Sequence, residues 1–386
     1  TMNLSHHIIL SVMITLALMS SGSKVIALDN GLGLTPQMGW STWNYFACEI
    51  NETIIMEIAN ALVSNGMKDV GYTYINIDDC WQGERNSTGH ITPDSERFPH
   101  GMAYLADYVH SLGLKLGIYT DAGVLTCQRR PGSFDHEEKD AQTYASWGID
   151  YLKEDWCYAY IEDPPKRYAI MSKALNETGR PIFFSLCDWG TDKPWKWGPT
   201  VGNSFRTTKD IADNWDSFLF NLDHQIDIAS YSTIGGWNDP DMLEVGNGGM
   251  TNTEYTSQFS LWSLLNAPLI AGNDLRNMDQ ETLSILSAPE VIAINQDPLG
   301  VQGKLVRSIN GGLAQVWARP LADGSRAVVL FNRDTSSASI QLEWADIWLM
   351  SGDQMTVRDL WERQDLGVFT GSYLSLNIPS HGCVML

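Results

Sequence analysis

The stretch that decides the fold runs from Lys115 to Cys157 and reads KLGIYTDAGVLTCQRRPGSFDHEEKDAQTYASWGIDYLKEDWC. It begins with one β-rich run, Lys115–Asp121, and ends with another, Tyr151–Cys157. Between them, His136–Trp147 has helical periodicity and is followed by Gly148, the residue type expected just after a helix. A strand, a helix and a strand in this order predict one βα unit of a parallel sheet.

The same unit repeats on both sides of this stretch. Three further helices, each followed by Gly, are predicted at 52–65, 102–112 and 166–178. Eight β-rich runs in a region of this length predict a closed (β/α)8 barrel over residues 28–300. The runs are Gln37–Trp43, Tyr72–Cys80, Lys115–Asp121, Tyr151–Cys157, Ile182–Trp189, Ser204–Asp210, Gly235–Asp241 and Pro268–Asn273.

The pattern changes after Gly300. Short alternating runs follow, such as Leu313–Arg319 and Arg326–Asn332, with the turn residues Asp323-Gly324 between them. Alternation interrupted by such turns predicts antiparallel strands. Residues 301–386 are therefore expected to form a second domain built on an antiparallel sheet.

Charge and hydropathy argue against a nucleic-acid-binding protein and against a protein that spans a membrane after its N-terminal segment. The chain has 386 residues, with 46 Asp and Glu against 25 Lys and Arg, which gives a formal charge of −21. Because phosphate binding needs clustered cations, this surplus argues against a nucleic-acid partner. Residues 1–27 contain a short apolar run, Ile8–Met19, followed by small residues, which is typical of a secretory signal peptide. No later segment is apolar over the length that a membrane span requires.

Two other features fit a secreted or vacuolar/lysosomal protein. Three N-x-T sequons make Asn51, Asn86 and Asn176 expected glycosylation sites. Six cysteines allow 15 complete pairings, and spacing alone does not choose among them. The cysteines are Cys48, Cys80, Cys127, Cys157, Cys187 and Cys383.

Acidic residues stand at the ends of the predicted barrel strands, where the active sites of such barrels lie. A single Asp at a strand end is more often a helix N-cap or a turn residue. A whole series of them at one rim instead indicates an active site. The series is Asp78, Asp79, Asp121, Asp155, Asp188, Asp210, Asp239 and Asp241.

Two predicted strands carry side chains suited to glycoside hydrolysis. Alternation puts Lys153 and Asp155 on one face, where the ammonium would lower the pKa of Asp155 and keep this nucleophile ionised. The same alternation puts Arg206 and Asp210 together, and a second carboxyl group that can hold a proton completes the pair. The competing interpretation is a Ca²⁺ or Mg²⁺ site made of clustered Asp. Aromatic side chains that could stack on a sugar are Trp40, Trp81, Trp189 and Trp237.

Six motifs occur in a recognisable order. They are LGLTPQMGW at 32–40, IDDCW at 77–81, YLKEDWC at 151–157, SLCDWG at 185–190, RTTKD at 206–210 and GWNDPDMLEVG at 236–246. In this order they resemble glycoside hydrolase family 27, the retaining α-galactosidases and α-N-acetylgalactosaminidases. The resemblance runs from about Leu28 to the C-terminus. It implies a (β/α)8 TIM barrel followed by a C-terminal antiparallel β-sandwich, with no metal or cofactor in catalysis.

The resemblance also implies residue roles. Asp155 would be the nucleophile that forms a covalent galactosyl-enzyme, and Asp210 would be the general acid/base. The implied disulfides are Cys48–Cys80 and Cys127–Cys157, with Cys187 and Cys383 unpaired. The implied galactose-binding and pocket-lining residues are Trp40, Asp78, Asp79, Cys127, Lys153, Cys187, Trp189, Arg206, Asp241 and Met242.

Three departures from the family pattern involve four positions. Glu154 and Trp156 flank the nucleophile, but alternation turns both away from the sugar. Lys209 precedes the acid/base, where its ammonium would lower the pKa of Asp210 although an acid needs a raised pKa. Asp188 stands where Glu is frequent, and its carboxylate is expected to support a galactose 2-hydroxyl. That expectation favours α-galactosides over 2-acetamido sugars, the alternative substrates.

The expected partners are therefore α-galactosides, and the natural aglycone is open among oligosaccharides, galactolipids and galactomannans. The Asp78-Asp79 pair favours a hexose, because a Glu at position 79 would crowd the C6 arm of the sugar. The oligomeric state is also open, with a homodimer among the options.

Overall fold

The computed structural model describes residues 27–159 and 163–386, so the expected signal peptide lies outside the described residues apart from Ala27. Its first domain is a curled parallel sheet of eight strands. These strands are β1 (Met38–Ser41), β2 (Tyr74–Asn76), β5 (Lys115–Asp121), β6 (Tyr151–Asp155), β7 (Phe183–Cys187), β8 (Ser204–Arg206), β9 (Trp237–Asp239) and β10 (Leu269–Ala271). A small hairpin, β3 (Gln82–Arg85) and β4 (Ile91–Pro93), follows β2.

The barrel strands pair in parallel in chain order from β1 to β9, and β10 pairs with the other side of β1. The two edges of the sheet meet at Leu243, which bridges to Ala271 and donates its N–H to the carbonyl of Ile270 at 2.9 Å. All eight predicted runs form strands, so the barrel prediction is confirmed. Most strands are shorter than predicted. The run predicted to reach Asp210 ends at Arg206, beyond which the chain turns along the barrel rim.

Helices surround the sheet, and the four predicted ones all form. Gly113 and Gly148 follow two of them with φ of 70° and 80°, the left-handed conformation of a helix end. Among the described residues, no helix has the length and hydropathy to cross a bilayer. The helices are α1 (Trp43–Phe46), α2 (Glu52–Ser64), α3 (Gly101–Ser111), α4 (Glu137–Ser146), α5 (Pro164–Glu177), α6 (Trp215–Asp223), α7 (Asn252–Leu264), α8 (Gln280–Leu286) and α9 (Pro289–Asn295).

The second domain is an antiparallel β-sandwich, as the family resemblance implies. One sheet has the order β11-β12-β13-β18, and the pairs β14-β17 and β15-β16 complete the domain. Val316, Leu330 and Trp344 belong to its separate apolar core. The strands are β11 (Lys304–Ile309), β12 (Ala314–Pro320), β13 (Arg326–Asn332), β14 (Ala338–Glu343), β15 (Gln354–Asp359), β16 (Gln364–Thr370), β17 (Ser372–Ile378) and β18 (Cys383–Met385).

Helix α7 joins the two domains. Nearly all of its residues are buried, because it packs against barrel helices on one side and against β13 and β18 on the other. A helix buried all round has no polar face, which explains why α7 is not amphipathic. At its N-terminal end, Nδ1 of His381 lies 2.6 Å from Oε1 of Glu254, and the imidazole stacks on Trp215 with ring centroids 4.1 Å apart. These contacts fix the sandwich against the barrel.

Candidate active site

A polar pocket of about 420 Å³ opens at the carboxyl ends of the barrel strands, where barrel active sites lie. The acidic side chains stand either at the last residue of a strand, as Asp155 does, or in the loop that follows it, as Asp79 and Asp241 do. The structure brings together ten of the thirteen residues predicted for the site. The lining residues are Trp43, Asn44, Asp78, Asp79, Tyr119, Cys127, Lys153, Asp155, Trp189, Arg206, Asp210, Asp241 and Met242.

Asp155 ends β6 and is buried at the base of this pocket. Its Oδ2 accepts a hydrogen bond from the Tyr119 hydroxyl at 3.1 Å, and its Oδ1 accepts one from the backbone N–H of Trp156 at 3.0 Å. Two residues further on, Cys157 is bonded to Cys127, as the resemblance implies. Donors on both carboxylate oxygens and the disulfide beside them hold Asp155 in one orientation.

Lys153 lies in the pocket, on the same face of β6 as Asp155, which confirms the predicted alternation. Its Nζ, however, donates to Oδ2 of Asp78 at 2.8 Å. This ammonium does lower the pKa of Asp155, as expected, but it does not keep that pKa low. Burial raises the pKa of Asp155 to about 6, since desolvation and the nearby Asp210 and Asp78 outweigh the opposing effect of Lys153.

Asp210 stands at the pocket mouth with 62% of its side chain exposed, and its Oδ1 accepts from Nη2 of Arg206 at 3.0 Å. Partial desolvation favours the neutral acid, but the cations of Arg206 and Lys153 outweigh it and lower the pKa of Asp210. The exposed Lys209 is not among the groups that cause this shift. Arg206, rather than the predicted Lys209, therefore opposes the acid role.

Two acidic residues in the loops after β2 and β9 are fixed by backbone groups. Oδ2 of Asp79 accepts from the N–H of Gln128 at 2.9 Å, and Oδ2 of Asp241 accepts from the N–H of Ile211 at 2.7 Å. Asp241 also pairs with Nη2 of Arg206 at 2.9 Å. Carboxylates held in this way present their remaining lone pairs to a ligand with several hydroxyl groups. The disulfide Cys48–Cys80 follows Asp79 directly.

Three residues expected in the pocket do not line it. Trp40 is fully buried in β1, where its Nε1 donates to the carbonyl of Asn273 at 2.7 Å. Asp188 is also buried, and it accepts from the N–H groups of Gly190 at 3.0 Å and Asp192 at 3.3 Å. Its carboxylate holds a turn, so the structure does not support its expected contact with a 2-hydroxyl. Cys187 lies just behind the pocket, with its Sγ 3.7 Å from Nη1 of Arg206.

Sequence reasoning missed three lining residues: Trp43, Asn44 and Tyr119. Trp43 and Asn44 both belong to the single turn of α1, and the first predicted strand extends to Trp43, the residue at which this turn begins. Tyr119 could have been found, because it alternates with Asp121 along β5 and so shares its face.

The competing metal interpretation fits the side chains poorly. Asp121, Cys127, Asp155 and Cys157 bring their ligand atoms within 4.8 Å of one another. The two cysteines are joined in a disulfide and offer no thiolate. Burial, with the charge of Asp155 adding to it, raises the pKa of Asp121 to about 9, so its carboxyl group holds a proton at neutral pH. Ca²⁺ and Mg²⁺ bind ionised carboxylates, so a protonated Asp121 is a poor ligand for either ion.

A barrel with two carboxyl groups lining one polar pocket at the carboxyl ends of its strands defines the class of this protein, a TIM-barrel glycoside hydrolase. The family model described as alpha galactosidase A matches residues 35–297, and the model described as the alpha galactosidase C-terminal beta sandwich domain matches residues 311–386. The chain belongs to this family, glycoside hydrolase family 27, as its motifs indicate.

Relatives cover nearly the whole chain. It is 66% identical over 365 residues to a protein of Dictyostelium discoideum named "Probable alpha-galactosidase", which covers 94% of this chain and 95% of that one. It is 53% identical to the alpha-galactosidase of Cyamopsis tetragonoloba, with 92% and 87% covered. Among solved structures, alpha-galactosidase I of Mortierella vinacea superimposes with a TM-score of 0.88 at 40% identity, with 92% and 97% covered.

Proposed function

We propose that the protein is a retaining α-galactosidase that removes terminal α-linked galactose from oligosaccharides, galactolipids or galactomannans. The observation that carries the proposal is the pair Asp155 and Asp210 lining one pocket on a barrel of the α-galactosidase family. Alpha-galactosidases at 66% and 53% identity favour galactose over the alternative, N-acetylgalactosamine.

The reaction has two displacements at the anomeric carbon. A carboxylate oxygen of Asp155 attacks this carbon and displaces the aglycone oxygen, which takes a proton from Asp210. The ionised Asp210 then removes a proton from water, whose oxygen attacks the anomeric carbon and releases Asp155. Two inversions leave the galactose with its original α configuration.

The two carboxyl groups share their protons. Interacting groups titrate as a pair, and between its two apparent pKa values the pair holds one proton. Because the pKa of Asp155 is raised and that of Asp210 is lowered, this proton lies mainly on Asp155, whereas catalysis uses the form with the proton on Asp210. Both singly protonated forms carry the same number of protons, so their ratio does not change with pH. The reactive form is therefore present over the whole pH range in which the pair holds one proton. We expect kcat/KM to fall on the alkaline side near pH 6, where the last proton leaves.

Galactose binding is assigned to the fixed polar groups around the pair. Asp78 with Lys153, and Asp241 with Arg206, form two charged pairs at 2.8 and 2.9 Å that can accept from and donate to sugar hydroxyls. Asp79 offers a further acceptor. The indole rings of Trp43 and Trp189 offer apolar faces for the sugar ring. Trp43 takes the place in this set that the family resemblance implies for Trp40.

The three sequon asparagines are accessible, which is consistent with a glycoprotein of the secretory pathway. Asn51, Asn86 and Asn176 are all exposed, so each is accessible to glycosylation. Asn51 uses its Oδ1 to cap α2 and keeps its Nδ2 available. We propose a secreted or vacuolar/lysosomal location and retain the homodimer as an option. Digestion with an N-glycosidase, followed by a mass measurement, tests the glycan sites.

A panel of nitrophenyl glycosides tests the activity. Cleavage of the α-galactoside, with little cleavage of the β-galactoside, the α-N-acetylgalactosaminide and the β-arabinopyranoside, supports the proposal. Preference for the acetamido sugar would establish the alternative function. The variant Asp155→Asn should still bind galactose but lose almost all turnover, and wild-type turnover by this variant would refute the assigned role.

A further inference from the structure

Glu244 is a buried acidic residue that the reaction scheme leaves unused. It follows β9 in the loop that carries Asp241 and Met242, and only 2% of it is exposed. Its Oε1 accepts from Nδ2 of Asn44 at 2.6 Å, and its Oε2 accepts from Nδ2 of Asn247 at 2.6 Å. The backbone N–H of Glu244 donates to Oε1 of Gln258 in α7 at 3.0 Å, which fixes the loop itself.

One of these two partners belongs to the pocket. Asn44 lines it beside Trp43 and is contributed by α1, which follows β1, whereas Glu244 follows β9. The two loops meet at Gly272, where an added Cβ would lie 2.7 Å from Cε of Met242 and 3.1 Å from Cβ of Asn44. Glu244 therefore connects two pocket walls that come from distant parts of the chain.

We propose that Glu244 is a positioning residue that orients the Asn44 amide for sugar binding. A carboxylate can only accept, so it holds the Nδ2 end of Asn44 and leaves the Oδ1 end available to a sugar hydroxyl. No hydrogen bond from the described residues reaches this Oδ1. A neutral side chain at position 244 would also donate, and the amide could turn and present its Nδ2 to the pocket instead. This inference rests on the proposed α-galactosidase activity.

The ionisation of Glu244 allows this positioning role to be tested by the pH dependence of galactose binding. Burial raises the pKa of Glu244 to about 7, and the charges of Asp241 and Asp213 add to the shift, while Asn247 and Asn44 oppose it. The polar groups that act on Glu244 come from three elements. Its own loop contributes Asp241 and Asn247, α1 contributes Asn44, and the loop after β8 contributes Asp213. As the pH rises through about 7, the carboxylate forms and galactose should bind more tightly.

The test is a double-mutant cycle on Glu244→Gln and Asn44→Ala, with Glu362→Gln as the matched control at an exposed site in the sandwich. Glu244→Gln preserves volume but removes the carboxylate. Above pH 7, where the wild-type carboxylate is ionised, we expect it to raise KM for nitrophenyl α-galactoside about fivefold and to leave kcat within about twofold, since an amide oxygen accepts a weaker hydrogen bond than a carboxylate. In the Asn44→Ala background the same substitution should change KM by less than about twofold.

The inhibition constant of galactose, measured below and above pH 7, completes the test. Glu244→Gln should remove the tightening that the wild type shows as the pH rises, whereas Glu362→Gln should behave as the wild type. Equal effects of Glu244→Gln with and without Asn44, or a loss of kcat at unchanged KM, would overturn the inference. A wild type that does not cleave the α-galactoside would instead refute the proposed function, so the two failures are distinguishable.

Discussion

The hydrogen bond from the Tyr119 hydroxyl to Asp155 gives the sharpest quantitative prediction. Tyr119 is fully buried on β5, and its hydroxyl lies 3.1 Å from Oδ2 of Asp155. Burial raises the pKa of Tyr119 well above its usual value, so the phenol remains a donor over the whole working range. Tyr119→Phe removes this one donor and keeps the ring that packs beneath the pocket.

The size of the effect follows from the charge on the acceptor. A hydrogen bond to a charged group contributes about 1.5–3 kcal/mol, and one pKa unit corresponds to about 1.4 kcal/mol. Loss of the bond penalises only the ionised form of Asp155. The pKa of this group should therefore rise by about one to two units from its value of about 6. The alkaline limb of kcat/KM should move upward by the same amount.

The assay is the pH dependence of kcat/KM on nitrophenyl α-galactoside for the wild type and for Tyr119→Phe. Tyr108→Phe is the control, because it removes a tyrosine hydroxyl that bonds the exposed Asn60, far from the barrel rim. Its alkaline limb should match that of the wild type. An unmoved limb in Tyr119→Phe, or a limb moved to lower pH, would refute the reasoning about Asp155.

Three further predictions follow from the same structure. The disulfides Cys127–Cys157 and Cys48–Cys80 close segments of 30 and 32 residues, so replacing either pair by Ser should cost a similar free energy of unfolding, roughly 3–4 kcal/mol by urea denaturation. Only loss of the first pair, which braces the strand of the nucleophile, should lower kcat of the folded enzyme. Asp188→Asn should leave kcat/KM within about threefold, since the single amide oxygen can still accept from the N–H of Gly190 and only the longer bond from Asp192, at 3.3 Å, is lost. A large rise in KM would instead support the predicted contact of Asp188 with the sugar. Several buried carboxyl groups have pKa values raised to between about 6 and about 9, so the folded state holds more protons than the unfolded chain at neutral pH. The melting temperature should therefore fall as the pH rises from about 4, the unfolded value, through these folded values, and a rise over that window would contradict the assignment.

Much of the fold could be predicted from the sequence because strand and helix periodicities are local. The runs Lys115–Asp121 and Tyr151–Asp155 are short and β-rich and are separated by a helical segment, an order typical of a βα unit, and their flanking helices end at glycines. The strand ends were less predictable. Whether a chain leaves the sheet at Arg206 or at Asp210 depends on the length of the neighbouring strand, which a single segment does not encode.

The site was predictable as a set of acids and less so in its details. Trp40 and Trp43 lie three residues apart, and only the turn of α1 decides which indole reaches the pocket. Asp188 has a side chain suited to binding a sugar hydroxyl. In the folded chain, however, its two carboxylate oxygens accept hydrogen bonds from the backbone N–H groups of Gly190 and Asp192. The raised pKa of Asp155 was not predicted, because it depends on burial, and the lowered pKa of Asp210 was expected from Lys209 but comes from Arg206 and Lys153.

The central claim is that Asp155 carries the sugar between the two steps. A galactosyl fluoride with a fluorine on the ring slows the second step and traps the covalent intermediate. After incubation with the inhibitor, proteolysis and tandem mass spectrometry should find the fluorogalactosyl group on Asp155, within the peptide that contains Tyr151–Cys157. Asp155→Asn should remain unlabelled. A label on Asp210 or on another carboxylate of the pocket would contradict the account.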